Sequence, residues 1–128
     1  MLLQTSLCLT AAAAVINFWI SMRIGKIRVA EKVLYGDGGN EMLIRRMRAH
    51  ANFIENAPLV LLLIALIEAT GKGGVWLAPV GAVFMLGRVA HVIGMDGLVK
   101  ARTAGTVITF LTQIVLAVVA VLIALGKL

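Results

Sequence analysis

Two uncharged stretches constrain the fold of this chain more than any other feature. Leu2 to Met22 contains no charged residue over 21 positions, and Thr103 to Gly126 contains none over 24. A helix needs about 20 apolar residues to cross the hydrocarbon core of a bilayer. Because 61% of the residues are hydrophobic and only 14% are charged, the chain is too apolar for a soluble domain. The sequence therefore predicts an integral membrane protein.

Two further segments are long and apolar enough to cross the bilayer, although both carry polar side chains. The segments 41–70 and 75–95 are bounded by the glycine-rich turn sequences YGDGGN at 35–40 and TGKGG at 70–74. No positive charge precedes the first apolar stretch as it would in a secretory signal, so we expect that stretch to be a retained helix. We predict one all-α domain over 1–128, a four-helix bundle with spans at about 2–28, 41–70, 75–95 and 103–126.

The distribution of lysine and arginine predicts the orientation of the bundle. The side of the membrane that holds the first and third connectors receives ten basic residues, and the other side receives only Lys72 and Lys127. The positive-inside rule then places both termini outside the cytoplasm. The formal charge of +6 does not indicate a nucleic-acid partner, since aromatic residues make up only 5% of the chain. Anionic membrane lipid is the expected partner of these positive groups.

The stretch RRMRAHANFIENAP at 45–58 brings an unusual set of polar groups into a membrane helix. At about 100° per residue, Arg45, Arg48, Asn52 and Glu55 lie within about 80° on one helix face. Glu55 and Arg88 also lie at the same depth, about 20 Å from the outer ends of their helices. Either charge alone would cost several kcal/mol in hydrocarbon, so we predict a Glu55–Arg88 ion pair. This pair would either hold the second and third helices together or contact a ligand.

This arrangement resembles the MAPEG family, the membrane-associated proteins of eicosanoid and glutathione metabolism, and especially its short bacterial members. The resemblance is carried by RRMRAHANFIENAP, by GRVAH at 87–91 and by Arg102, fourteen residues after Arg88. It implies a homotrimer of four-helix subunits, located in a bacterial plasma membrane, with glutathione bound between neighbouring subunits. Family members conjugate glutathione to lipophilic electrophiles, reduce lipid hydroperoxides or isomerise prostanoids.

The resemblance also implies which residues bind glutathione. Arginines suit the two carboxylates of glutathione, and an acidic or amide group suits its amine. Arg102 matches the arginine that stabilises the glutathione thiolate in some members, and we expect it to be the catalytic group. The expected glutathione-contacting residues are Arg23, Arg48, Asn52, Glu55, Arg88 and His91.

The chain departs from the family pattern at two positions. Met95 occupies the place of a tyrosine that contacts glutathione, and Ala51 replaces an arginine found in the prostaglandin-forming members. A prostaglandin synthase is therefore not expected. Two other functions stay open, a non-catalytic membrane protein with this fold and a small four-helix transporter, which a free Glu55 would favour. No metal site is expected, because His50 and His91 form no ligand motif.

Overall fold

The computed structural model describes all 128 residues, and they form four helices and no strand. The helices are α1 (Gln4–Glu31), α2 (Glu41–Ala69), α3 (Leu77–Gly94) and α4 (Val99–Ala124). Each is long and apolar enough to cross a membrane, so the prediction of an all-α bundle with four spans is confirmed. The two largest differences from the predicted spans are that α1 continues to Glu31 and that α4 begins at Val99. Helical hydrogen bonding continues into the basic segments that flank the apolar stretches, whereas the apolar stretches mark only the part of each helix that lies within the lipid.

Local sequence explains where α1 ends and α2 begins. Lys32 adopts the left-handed conformation with φ of 55°, and its backbone N–H donates to the carbonyl of Arg28. The side-chain oxygen of Asn40 accepts from the backbone N–H of Leu43 at 2.9 Å, which caps α2. Glu41 in the first turn of α2 complements the positive end of the helix dipole.

The helices pack so that α1 and α4 lie at opposite corners and both contact α2 and α3. The core between them consists of large apolar side chains, with Phe53, Val60, Ile64, Phe84 and Leu116 almost completely buried. Many other large apolar side chains, among them Phe18, Leu86, Phe110 and Ile114, are exposed on the outside of the bundle. An apolar exterior is what contact with lipid tails requires.

Glycines bring α3 and α4 into close contact. A Cβ on Gly94 would collide with the backbone of Arg102, and a Cβ on Gly105 would collide with the carbonyl oxygen of Gly87. Gly87 and Gly94 of α3 therefore lie at a close helix contact, as is common in membrane bundles.

Polar groups tie the helices together at both ends of the bundle. At one end, the Glu68 carboxylate accepts from the backbone N–H groups of Thr5 and Ser6, both at 2.8 Å, and from the Ser6 hydroxyl at 2.6 Å. At the other end, which we call the basic end, Asp96 forms ion pairs with Arg23 and Arg46. The first set of contacts joins α1 to the end of α2, and the second joins α1 and α2 to the segment that follows α3.

Candidate functional site

A cavity of about 310 Å³ opens between α2, α3 and α4 in the basic half of the bundle. It is lined by Arg48, Asn52, His91, Met95, Arg102, Thr103, Thr106 and Val107. Helical periodicity explains the lining, because residues four apart lie on the same face one turn from each other. Arg48 and Asn52 form such a pair on α2, and His91 of α3 forms one with Met95, the residue that directly follows the helix. The structure thus brings four of the predicted site residues, Arg48, Asn52, His91 and Arg102, to one cavity.

Another predicted contact, Glu55, lies beside the cavity and pairs with Arg48. The two side chains form a double contact, with Arg48 Nη1 at 3.1 Å from Glu55 Oε1 and Arg48 Nη2 at 3.4 Å from Glu55 Oε2. Both are about half exposed, at 58% for Arg48 and 52% for Glu55. The cavity wall therefore combines cationic groups with one neighbouring carboxylate.

The predicted Glu55–Arg88 ion pair is wrong. Arg88 instead donates to Asn52 Oδ1 at 2.5 Å and to Thr109 Oγ1 at 2.7 Å. The depth estimate gave no information on direction around the helix, and Asn52 is the member of the polar face that points toward α3. Glu55 lies about 60° farther round that face, toward Arg48.

Arg88 lies beneath the cavity and does not line it. Its side chain is only 1% exposed, and no carboxylate of the chain lies within ion-pair distance of it. Its Nε atom is buried without a hydrogen-bond partner. Arg88 is therefore a buried cation with two neutral acceptors, and its charge adds to the positive potential of the cavity.

His91 is buried at the cavity wall with one ring nitrogen unsatisfied. The residue is 4% exposed, and its Nδ1 atom has no hydrogen-bond partner in the chain. Buried polar atoms without partners are uncommon in folded proteins. An unpartnered nitrogen beside a cavity can form a hydrogen bond with a polar group of a ligand.

Arg23 is placed away from the cavity. It forms an ion pair with Asp96, donates to the carbonyl of Val92 at 3.4 Å and lies 5.1 Å from the centre of the Trp19 ring. Asp96 directly follows Met95, which lines the cavity, so Arg23 holds the end of α3 next to the site. Its predicted contact with glutathione stays a prediction.

A second cavity of about 370 Å³ adjoins the first and shares Met95 and Arg102 with it. Arg45, Gly94, Gly97 and Val99 complete its lining. Met95, at the position where the resemblance implies a tyrosine, lines both cavities. Together they give the basic half of the bundle a polar cleft with arginines on several sides.

Sequence reasoning missed several residues of this region. Thr103 and Thr106 line the cavity, and their positions one and four residues after Arg102 could have indicated this on a helix. One feature of the sequence could have indicated that Asp96 accepts from two arginines, because Asp96 is the only acidic residue between Glu68 and the end of the chain. Nothing in the sequence indicated that Thr109 would be the second acceptor for Arg88.

Comparison with known families identifies this arrangement. The model of the MAPEG family matches residues 6–122, which is nearly the whole chain. This chain belongs to the MAPEG family. The matched residues cover α2 and α3 completely and nearly all of α1 and α4. All site residues of this MAPEG protein on α2, α3 and α4 therefore lie within the match.

Two curated relatives are similar to part of this MAPEG protein. The inner membrane protein YecN of Escherichia coli strain K12 is 30% identical over 83 residues, and a protein of the same name in a second Escherichia coli strain matches equally. The matched segment covers 64% of this chain and 63% of each relative. Together with four helices of spanning length, family membership makes this chain a multi-pass integral membrane protein.

Proposed function

We propose that this protein is a glutathione-dependent transferase or peroxidase that acts on lipophilic electrophiles or lipid hydroperoxides. The observation that carries the proposal is the convergence of Arg48, Asn52, His91 and Arg102 on one cavity. In the MAPEG pattern these positions contact glutathione. The second substrate reaches the site from the bilayer, because the bundle around the site has an apolar exterior.

The cavity chemistry fits glutathione, which carries two carboxylates, an amine and a thiol. Arg48 and Arg102 provide charged donors for carboxylates, and Glu55 has acceptor capacity left for an amine while it pairs with Arg48. A volume of about 310 Å³ lies at the lower end of the range of roughly 300–1,000 Å³ for small-molecule sites. The adjoining cavity extends that space past Met95.

The role of Arg102 in the proposal is electrostatic. A cation beside a thiol lowers the pKa of that thiol from about 8.5 and raises the fraction of the nucleophilic thiolate. In conjugation the sulfur forms a bond to an electrophilic carbon, and the leaving group departs with its bonding pair. In peroxide reduction two glutathione thiols are oxidised to a disulfide while the hydroperoxide becomes an alcohol and water.

We also propose that the protein assembles as a homotrimer. Glu55 is the middle residue of α2, and its pair with Arg48 is about half exposed in the single chain. Ionised groups that faced lipid at this depth would cost several kcal/mol. A second copy covering the pair removes that cost, and the number of three copies comes from the family.

The proposed location is a bacterial plasma membrane with the basic end of the bundle in the cytoplasm. The name of the Escherichia coli relatives supports the location, and the ten-to-two distribution of basic residues supports the orientation. Single-cysteine labelling in a Cys8→Ser background tests the orientation. A membrane-impermeant maleimide should label Leu128→Cys but not Tyr35→Cys in intact cells, and the reverse pattern contradicts it.

A small transporter would be favoured by a free Glu55, and Glu55 is instead paired with Arg48. A non-catalytic protein with the same fold would bind glutathione without turning it over. Measurement of turnover therefore decides between this alternative and the proposed enzyme.

The test compares the wild type with Arg102→Gln and uses Lys100→Gln as the matched control. Lys100 lies on the same first turns of α4, is exposed and lines neither cavity. We expect Arg102→Gln to lose the ultraviolet absorbance of bound thiolate and to lower kcat/KM with an aryl halide by about 100-fold. Lys100→Gln should retain both. A wild type that binds glutathione but turns over no electrophile or hydroperoxide would contradict the proposal.

A further inference from the structure

The contact between Arg88 and Asn52 determines which way the Asn52 amide faces. A guanidinium carries only hydrogen-bond donors, so the Asn52 atom 2.5 Å from Arg88 Nη2 must be the carbonyl oxygen Oδ1. The second arm of Arg88 is held by Thr109 Oγ1 at 2.7 Å, and the Thr109 hydroxyl donates in turn to the carbonyl of Gly105 at 2.8 Å. Arg88 is therefore fixed on both sides, and it fixes Asn52.

The other end of the amide is left for the cavity. Asn52 Nδ2 makes no hydrogen bond within the chain, while Asn52 itself lines the cavity beside Arg48. The neighbouring Asn56 cannot take this position, because both ends of its amide are already bonded. Its Nδ2 donates to the backbone carbonyl of Asn52 at 2.8 Å, and its Oδ1 accepts from Gln113 Nε2 at 2.8 Å. Asn52 consequently presents a donor to the cavity, and not an acceptor.

We propose that Arg88 is a positioning residue that holds Nδ2 of Asn52 toward the cavity, so that Asn52 and Arg48 form a corner that accepts a carboxylate of the ligand. This inference rests on the proposed function in so far as the ligand is glutathione. It assigns Arg88 a role through Asn52, in place of the direct contact that the sequence suggested.

The charge of Arg88 supports the same ligand group. Arg88 is 1% exposed and has no carboxylate partner, so its positive charge is neither screened by water nor neutralised by the protein. Asn52 stands between this charge and the cavity. A neutral amide there transmits the positive potential to an anionic ligand, whereas an aspartate would neutralise it.

Equilibrium dialysis with glutathione tests this role in four variants of the purified protein. We expect Arg88→Met to weaken glutathione binding by about tenfold or more, since it frees the Asn52 amide and removes the charge. Arg88→Lys should recover part of the affinity. Asn52→Asp should lose at least as much as Arg88→Met, because both of its oxygens are acceptors. Thr112→Val is the matched control, since Thr112 is also a buried threonine of α4 but donates only to the carbonyl of Ile108 and does not touch Arg88, so this variant should leave affinity unchanged.

A second measurement does not depend on glutathione. The chain contains four asparagines, Asn17, Asn40, Asn52 and Asn56. With ¹⁵N-labelled asparagine, the side-chain amide signals of Asn52 are assigned by their loss in Asn52→Ala. We expect these signals to move strongly in Arg88→Met, or in Arg88→Lys if the first variant does not fold, and little in Thr112→Val.

The two measurements separate the inference from the proposed function. Failure of the wild type to bind glutathione removes the proposed function, while the amide signals still report whether Arg88 holds Asn52. Amide signals that do not respond to replacement of Arg88 overturn the positioning role. So does a loss of affinity that is equal in Arg88→Met and Thr112→Val, because that result indicates only a structural contribution.

Discussion

At the scale of single residues, the basic end of the bundle depends on one carboxylate. Asp96 accepts from Arg23 and Arg46, and Arg46 also donates to the backbone carbonyl of Arg23 at 3.0 Å. Their side chains are 13–26% exposed, so water compensates these charges only in part. Asp96 thereby joins α1 and α2 to the end of α3, next to the cavity.

Replacement of Asp96 by asparagine should destabilise the protein. The variant keeps a neutral acceptor but leaves two arginines without a counterion, and we expect the free energy of unfolding to fall by about 1–3 kcal/mol. Chemical denaturation in detergent measures it. Asp37→Asn is the control, since Asp37 accepts only from the backbone of Gly39 in an exposed loop. Equal stability of the two variants would contradict the assigned role of Asp96.

The sequence predicted the members of the candidate site better than their contacts. The polar face of α2 follows from helical periodicity, and it correctly groups Arg48 with Asn52. The partner of Arg88 depends on how α3 is rotated about its own axis, which depth along the helix does not specify. Asn52 rather than Glu55 therefore receives Arg88.

At the scale of elements, the close contact of α3 with α4 places Arg102 at the cavity. Gly94 and Gly105 let the two backbones approach, and a Cβ at either position would meet backbone atoms of the other helix. Backbone atoms cannot move aside as a flexible side chain can. The position of Arg102 therefore depends on the absence of a side chain at Gly94.

Gly94→Ala should weaken both folding and binding. The added methyl group pushes α4 away from α3, and overpacking of this kind costs about 1–3 kcal/mol. We expect a lower free energy of unfolding and weaker glutathione binding, because Arg102 moves with α4. Gly25→Ala is the matched control, since Gly25 lies in helix α1 with open space around it. If Gly94→Ala behaves like Gly25→Ala, the contact does not position Arg102.

The existence of the four helices was predictable, and some of their ends were not. Uncharged stretches of 21 and 24 residues leave no other fold for the first and last spans. The start of α4 at Val99 lies before the apolar stretch, within a segment that contains Lys100 and Arg102. Hydropathy reports only the lipid-embedded part of a helix, so it underestimates the length of a helix that extends beyond the lipid.

At the scale of the whole molecule, the exposed Arg48–Glu55 pair requires cover within a membrane. The proposed trimer supplies it, and native mass spectrometry from detergent should detect three copies of the chain. Glu55→Lys places two cations side by side at the contact, so we expect it to lower the trimeric fraction. Glu41→Lys is the control, because Glu41 pairs only with Arg45 at the exposed start of α2. A wild type that is monomeric at all concentrations contradicts the proposal.

The most direct test of the account is calorimetric titration of glutathione into the purified wild-type protein. The central claim is that the polar groups of the basic half converge on one cavity that binds an anionic thiol. It predicts saturable binding with a dissociation constant of about 1 mM or tighter. It also predicts that Asn52→Ala weakens this binding. The absence of heat from saturable binding, or an unchanged dissociation constant in Asn52→Ala, would contradict it.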